Sequence, residues 1–459
     1  MKINTKSIFC VLLTFLFLSP GVVKADDESI RYVHEITTSR TIIRHISDGL
    51  DIVCYHEYDP YFMVFREGDT ASNTFLLSRM DSIYDFEIYN GKVYFCGENY
   101  AGIATVGFFD LTSLIYPSSS INVSFFELSN MKKVKAIEVG AFASRNHVVG
   151  IGESVDSKGM MVDMTDETTY WKINFSIVGG DTMILSDLAI INNYVVVTAT
   201  KTGPLYFVPA GYLWYISKPT TPGNSLFPCT ATLDKHPGIE GKKYLITQLR
   251  IDGFVTAYHG TSLFGTRPII LSYYNGPSYV RSVLFEEPTK NTFYLQDIER
   301  EYTTNTVEVV MGGKYTNSTG TFVRSKIYEI PDVVSLPSTI YAHFYDGIFL
   351  TSIDRIGSIT IGYGHFVLSG YDKPSGYGTP YYAKFLFGGF PGYCKSKVEN
   401  TLRGTTVQNN RFTHDLIRMY TERTPVVETF SIKPLWVETE CHYPSRTSEN
   451  EPEQETEKK

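Results

Sequence analysis

The chain has 459 residues and a formal net charge of −8, and this acidic balance argues against nucleic acid, whose binders gather Lys and Arg on one face. Aromatic residues make up 14% of it, with 33 Tyr and 29 Phe. Together with abundant Val, Ile and Thr they fit pleated, half-buried surfaces and speak for an all-β fold over a helical one. The length suffices for two or three ordinary domains or one large β-architecture.

Residues 1–25 read as a secretory signal peptide: Lys2 and Lys6 precede the apolar run IFCVLLTFLFL, and Val23-Lys24-Ala25 offers a small-x-small cleavage pattern. The run is too short to span a bilayer. Cys10 lies inside it and not beside the cleavage site, so no lipoprotein anchor is expected. No later stretch reads as a transmembrane segment. The mature chain is therefore expected outside the cytosol, in a periplasm, at a cell surface or beyond.

From residue 51 onward one pattern recurs: a polar residue, alternating apolar residues, a turn, a second apolar run, another turn and a third run. DIVCYHEYDPYFMVFRE (51–67) with NTFLLSRM (73–80) is a short first copy anchored on Ile52. DFEIYNGKVYFCGE (85–98), AIEVGAFASRNHVVGIGES (136–154), DLAIINNYVVVTATKTG (187–203), QLRIDGFVTAYHGTS (248–262), DIEREYTTNTVEVVMGGKY (297–315) and SITIGYGHFVLSGYD (358–372) follow. Their anchors are Phe86, Ile137, Leu188, Leu249, Ile298 and Ile359. After each second turn comes a further apolar stretch, at 107–114, 159–164, 212–217, 268–274, 325–330 and 381–387, expected to supply the outer strands. The NG, NN, DG and GG pairs between runs are turn chemistry. DLIRMYTERTPVVETFSI (415–432) is either an eighth, partial copy or the strands that complete the first one.

A period of this size approaches the roughly 40–50 residues of a four-stranded propeller blade with longer loops. The expected fold is a single β-propeller over residues 26–444 with four-stranded antiparallel blades, seven in number, with six and eight as alternatives. Two or three β-sandwiches are the competing architecture, but no Pro/Ser-rich linker divides the chain. Residues 445–459, SRTSENEPEQETEKK, are polar and charged and are expected to be a disordered tail.

Motifs for chemistry are scarce. G-x-S-x-G, the phosphate-cradling P-loop, H-E-x-x-H and an EF-hand calcium loop are all missing, and no cofactor or metal is expected. The repeated acids Asp85, Asp187 and Asp297, with Asp51 earlier and Asp354 later, suggest carboxylates around a central channel, in the way paired carboxylates flank a glycosidic bond. The plainer reading is that a short acceptor ties down nearby backbone N–H groups. Ala136, Gln248 and Ser358, at the matching places, favour that reading. His147, His259 and His365 fall in or beside second strands at differing offsets, which does not suggest converging ligands.

The stretch SGYDKPSGYGTPYY (369–382) interleaves Tyr371, Tyr377, Tyr381 and Tyr382 with Gly and Pro in an expected loop. Tyrosines offer a flat apolar face and a hydroxyl, which suits sugar or peptide recognition; the structural alternative is that they cover strand ends. KFLFGGFPGY (384–393) adjoins them. Sequons stand at Asn122, Asn174 and Asn317. Cys54, Cys96, Cys229, Cys394 and Cys441 form no disulfide framework, and Cys394 with Cys441 is the one pairing suggested.

The repeat resembles the broad β-propeller superfamily, and a signal peptide ahead of irregular Tyr/Phe-rich blades resembles exported propeller proteins of Bacteroidales-type bacteria. No blade carries a named motif, so the resemblance carries over no catalytic residue. Two functions remain: a non-catalytic module that binds a protein, peptide or glycan through loops on one face, and a carbohydrate-active or other hydrolytic enzyme with Asp85, Asp187, Asp297 and Asp354 in the channel. Oligomeric state has no signature in the text.

Overall fold

The computed structural model describes strands between Ser29 and Cys441, and side chains in stretches from Pro60 to Glu299. The expected signal peptide, the charged tail and Cys394 lie outside the described residues. No helix among the described residues is long and apolar enough to cross a membrane.

The strands fall into antiparallel meanders of four. The first unit is β2 (Thr41–Ser47), β3 (Asp51–His56), β4 (Tyr61–Phe65) and β5 (Ala71–Leu76). The second is β6 (Met80–Tyr89), β7 (Lys92–Asn99), β8 (Ala104–Asp110) and β9 (Ser120–Glu127). The third is β10 (Met131–Phe142), β11 (Arg145–Ser154), β12 (Gly159–Thr165) and β13 (Thr169–Phe175). The fourth is β14 (Thr182–Ile191), β15 (Tyr194–Thr202), β16 (Ala210–Ser217) and β17 (Pro228–Pro237).

The fifth unit is β18 (Ile239–Gln248), β19 (Gly253–Gly260), β20 (Ile269–Asn275) and β21 (Ser278–Phe285). The sixth is β22 (Thr292–Tyr302), β23 (Val307–Thr316), β24 (Phe322–Ile330) and β25 (Thr339–Tyr345). The closing unit joins β26 (Ile353–Gly362), β27 (His365–Asp372) and β28 (Thr379–Leu386) to β1 (Ser29–His34), so the N-terminal strand completes it.

First strands touch in ring order, β2 to β6, β10, β14, β18, β22 and β26, and β26 returns to β2. A closed ring of radial antiparallel sheets is a β-propeller. The reason for closure is written in the alternation of each strand. In the second unit Val93 and Phe95 pack toward Phe62 and Phe75 of the first, whereas Tyr94 and Cys96 pack toward Ile137 and Val148 of the third. Leu188, Val195 and Val197 of the fourth face the third, and Ala189, Val196 and Tyr215 face the fifth. Both faces of a sheet are apolar, so each needs a neighbour on both sides. Edge-on aromatic pairs fill the wedges: Phe62 meets Phe86 with centroids 5.2 Å apart, and Phe175 meets Trp214 at 5.5 Å.

A further layer lies outside the meanders. β29 (Lys395–Thr401) pairs with β25, β30 (Gly404–Thr405) with β21, and β31 (Gln408–Met419) with β17 and then β13. β32 (Thr424–Cys441) continues along β9, β5 and β1. The C-terminal segment thus runs around the ring against the order of the units.

Three sequence expectations change. Ile52 lies in a second strand, opposite Ile46, and the first strand of that unit stands upstream at Thr41–Ser47. The stretches expected to be outermost are third strands, each backed by a fourth. Residues 415–432 form neither an eighth copy nor part of the first meander; they belong to the outer layer.

The first strands β6, β10, β14 and β22 each carry a bulge. The register shifts between Ile83 and Asp85, Val134 and Ala136, Leu185 and Asp187, and Leu295 and Asp297. A bulge kinks its strand toward the neighbour and re-aims the next side chain. Gly97 and Gly152 accommodate that approach, since a Cβ on Gly97 would lie 1.9 Å from the Ser82 carbonyl oxygen and one on Gly152 1.8 Å from that of Lys133. Gly97→Ala is therefore expected to lower stability by about 1–3 kcal/mol, read from chemical denaturation; an unchanged midpoint would show that the bulge tolerates a side chain.

Candidate functional site

Three aspartates stand beside these bulges on first strands. Asp85 accepts hydrogen bonds from the Phe86 N–H at Oδ1 (2.9 Å) and from the Ile137 N–H of the next unit at Oδ2 (3.0 Å). Asp187 repeats the arrangement with Leu188 (2.9 Å) and Ile246 (3.0 Å). Asp297 accepts from Ile298 at 2.9 Å. Each of the first two carboxylates therefore bridges one first strand to the next. Charge-assisted hydrogen bonds of this type contribute about 1.5–3 kcal/mol each.

These bonds also align the units. Ile246 occupies in the fifth unit the place of Ile137 in the third, so the anchor there is Ile246 and not Leu249, and the residue matching Asp85 is Leu245 and not Gln248. Leu249 closes the turn into β19, its N–H donating to the Gly253 carbonyl at 2.7 Å. Where the fifth unit lacks the acid, His259 supplies a tie: its Nε2 accepts from the Leu295 N–H of the sixth unit at 2.8 Å. That bond places the proton of a neutral ring on Nδ1. Thr198 adds another cross-unit contact, its hydroxyl reaching the carbonyls of Asp187 (3.1 Å) and Tyr244.

One position further along, Glu87, Glu138 and Glu299 follow Phe86, Ile137 and Ile298, and Thr247 of the fifth unit donates to Glu299 Oε1 at 3.2 Å. Enclosure pushes the Asp187 carboxyl up to about 7; its two N–H partners pull the other way, and repulsion from Asp297 and then Asp85 adds to the rise. Asp187 is only half-buried as a residue, so the effect comes from enclosure of the carboxyl itself.

The histidines do not converge. His147 stands at the opening of β11, where Nδ1 lies 2.9 and 3.0 Å from the two carboxylate oxygens of buried Asp163. His259 stands near the far end of its second strand, and the His365 side chain is outside the described residues. Among the described residues no three of His, Cys, Asp and Glu gather as metal ligands. Cys96 is buried.

The tyrosine stretch is mostly strand. Tyr371 ends β27 opposite Pro380, Tyr381 and Tyr382 begin β28 opposite Val33 and Tyr32 of β1, and only 373–378, with Tyr377, connect them. Their side chains, and that of Asp354 in β26, lie outside the described residues. Two exposed apolar side chains that the sequence reading passed over stand in connections from second to third strands: Tyr100, 56% exposed, between β7 and β8, and Val155, 63% exposed, between β11 and β12. Their signal in the text is a large apolar residue within a Gly- or Ser-containing turn. Of the sequons, Asn122 lies in β9 with an exposed side chain opposite Val427, and Asn174 lies in β13 opposite Met160.

No family model matches the chain, and no curated protein matches its sequence. Among solved structures it is similar to Drosophila plexin A, seen in complex with semaphorin 1b, at 9% identity and a TM-score of 0.40, over 78% of this chain and 86% of that one. The extracellular domains 1–2 of Drosophila semaphorin 1b give the same identity, TM-score and coverage. A Trypanosoma rangeli sialidase in complex with the inhibitor DANA is similar at 8% identity and a TM-score of 0.34, and the likeness spans 78% of this chain but only 56% of the sialidase.

The raised Asp187 carboxyl has a definite pH consequence. The folded state holds the proton that the unfolded chain releases near 3.8, so the stabilisation is complete below about pH 4 and is lost as pH rises to about 7. Denaturation midpoints of wild type relative to Asp187→Asn are expected to fall between pH 4.5 and 7.5; a constant difference across that window would contradict the enclosure of the acid.

Proposed function

We propose that the chain is an exported, seven-bladed β-propeller that serves as a non-catalytic binding or scaffolding module for a protein, peptide or glycan. The observation that supports this reading is the use of Asp85 and Asp187: both oxygens of each accept backbone N–H groups, so these carboxylates hold adjacent first strands together. The pairing order, with β1 completing the last unit, supports a count of seven blades. Export in this reading rests on the signal-peptide pattern of residues 1–25.

The binding face in this proposal is the one that carries the connections from second to third strands. Turns from first to second strands, on the other face, are short and polar, such as Asn90-Gly91 and Asn192-Asn193. Connections from second to third strands hold Tyr100 and Val155, both exposed, and in the sequence also Tyr58, Phe207, Phe264 and Tyr377. Exposed apolar side chains such as the first two mark interaction surfaces. Tyr371, Tyr381 and Tyr382 flank the same end of the closing blade and are assigned to the site with Tyr377.

A second reading keeps Asp85, Asp187, Asp297 and Asp354 as the acids of a hydrolase in the channel. It is favoured by Asp187, because a carboxyl held near neutrality suits a general acid. The two readings separate on ligand arrays. Wild type is expected to bind a defined glycan or peptide that both Tyr100→Ser/Val155→Ser and Tyr371→Ala/Tyr377→Ala lose by tenfold or more, with Asn90→Asp on the other face unaffected. Turnover of an arrayed glycan that Asp187→Asn abolishes would replace the binding reading with the hydrolytic one.

A further inference from the structure

The outer layer has a mechanical property that the meanders lack. Every strand from β2 to β28 within a sheet is placed by its own hairpin neighbours, but β29, β30, β31 and β32 are added from one remote segment, each along an outer edge. A strand at an edge holds its hydrogen bonds on one side only. The hold is thinnest at β30, where Gly404 and Thr405 alone meet Val283 and Ser282. It is most extended in β32, whose 18 residues pass along β9, β5 and β1 and so join the second, first and closing units. The free end of that strand meets the start of the chain: Cys441 is the register partner of Ser29, and Leu435 of His34.

The geometry points to residues 395–441 acting as a strap that peels from its C-terminal end, and to this peeling as the first step in opening the ring. While the strap is on, the outer edges of β1, β5, β9, β13, β17, β21 and β25 are paired. Once it leaves, those edges are open to strand addition, and adjacent units keep only their face-to-face packing and the carboxylate bridges. The strap thereby couples units that would otherwise open one at a time, as repeats with only nearest-neighbour contacts do. Interactions that are lost on the way to the transition state govern the rate of unfolding.

The register supplies the test. Partner Cα atoms in an antiparallel pair lie about 4.5–5.5 Å apart, within disulfide range. Ser29→Cys in a Cys394→Ser background is expected to form a disulfide with Cys441, located by peptide mass mapping. The full chain so fastened is expected to unfold in denaturant at least about tenfold more slowly than the same protein reduced. His414→Cys, opposite Cys229 in mid-strap, leaves the end free and is expected to slow unfolding less than threefold. The strap is overturned if the Ser29→Cys disulfide does not form, if it forms without slowing unfolding, or if the mid-strap link slows it equally. In hydrogen exchange of the wild-type chain, residues 395–441 are expected to lose protection together and ahead of β6, β10 and β14; simultaneous exchange with those strands would also overturn it.

Discussion

The ring depends on a carboxylate that belongs to two strands at once. Asp85 takes the N–H of Phe86 beside it and that of Ile137 in the next unit. A propeller of apolar sheets has abundant non-directional attraction between its units but little in that attraction to set their register. The bridge sets it, because a hydrogen bond is lost over a fraction of an ångström while apolar contact slides. The bulge that aims the acid and the glycine opposite the bulge belong to the same device. Remove Gly97 and the bulge cannot close; remove the bulge and Asp85 points elsewhere.

The same device carries a cost. Enclosure, with repulsion from Asp297 and Asp85 on either side of it in chain order, pushes the Asp187 carboxyl up to about 7. The ring does not repeat the acid in every unit. Ala136 and Leu245 stand in the third and fifth, and the bridge from the fifth to the sixth is made by a histidine accepting a backbone N–H. Alternating acidic with uncharged positions limits the repulsion.

Much of this could be read from the text. Phe86, Leu188, Ile298 and Ile359 are visible as anchors because each follows a polar residue at a bulge and begins a run with both faces apolar, and Ile137, after Ala136, is visible from its run alone. Leu249 misleads because QLRID alternates like a strand although it is a turn, and Ile246 three residues earlier is the true anchor. Ile52 misleads because HISDGLDIV joins two strands through a tight turn, and only the second of them looks apolar. The fourth strands and the strap were illegible for a common reason. Edge strands need only one apolar face and pair with residues hundreds of positions away, so segments such as KSKVENT and QNNRFTHDLIRM carry no period. The aspartates were recognisable as a pattern, and their use as bridges followed from the plainer of two readings.

The central claim, that aspartates fasten neighbouring units, is tested most directly by hydrogen exchange at a single amide. In Asp85→Ala the Ile137 amide, 52 residues away in sequence, is predicted to lose protection by tenfold or more while the Ile246 amide keeps its own; in Asp187→Ala the two exchange roles. Unchanged protection of Ile137 in Asp85→Ala would contradict the account, because the units would then be held in register by packing alone.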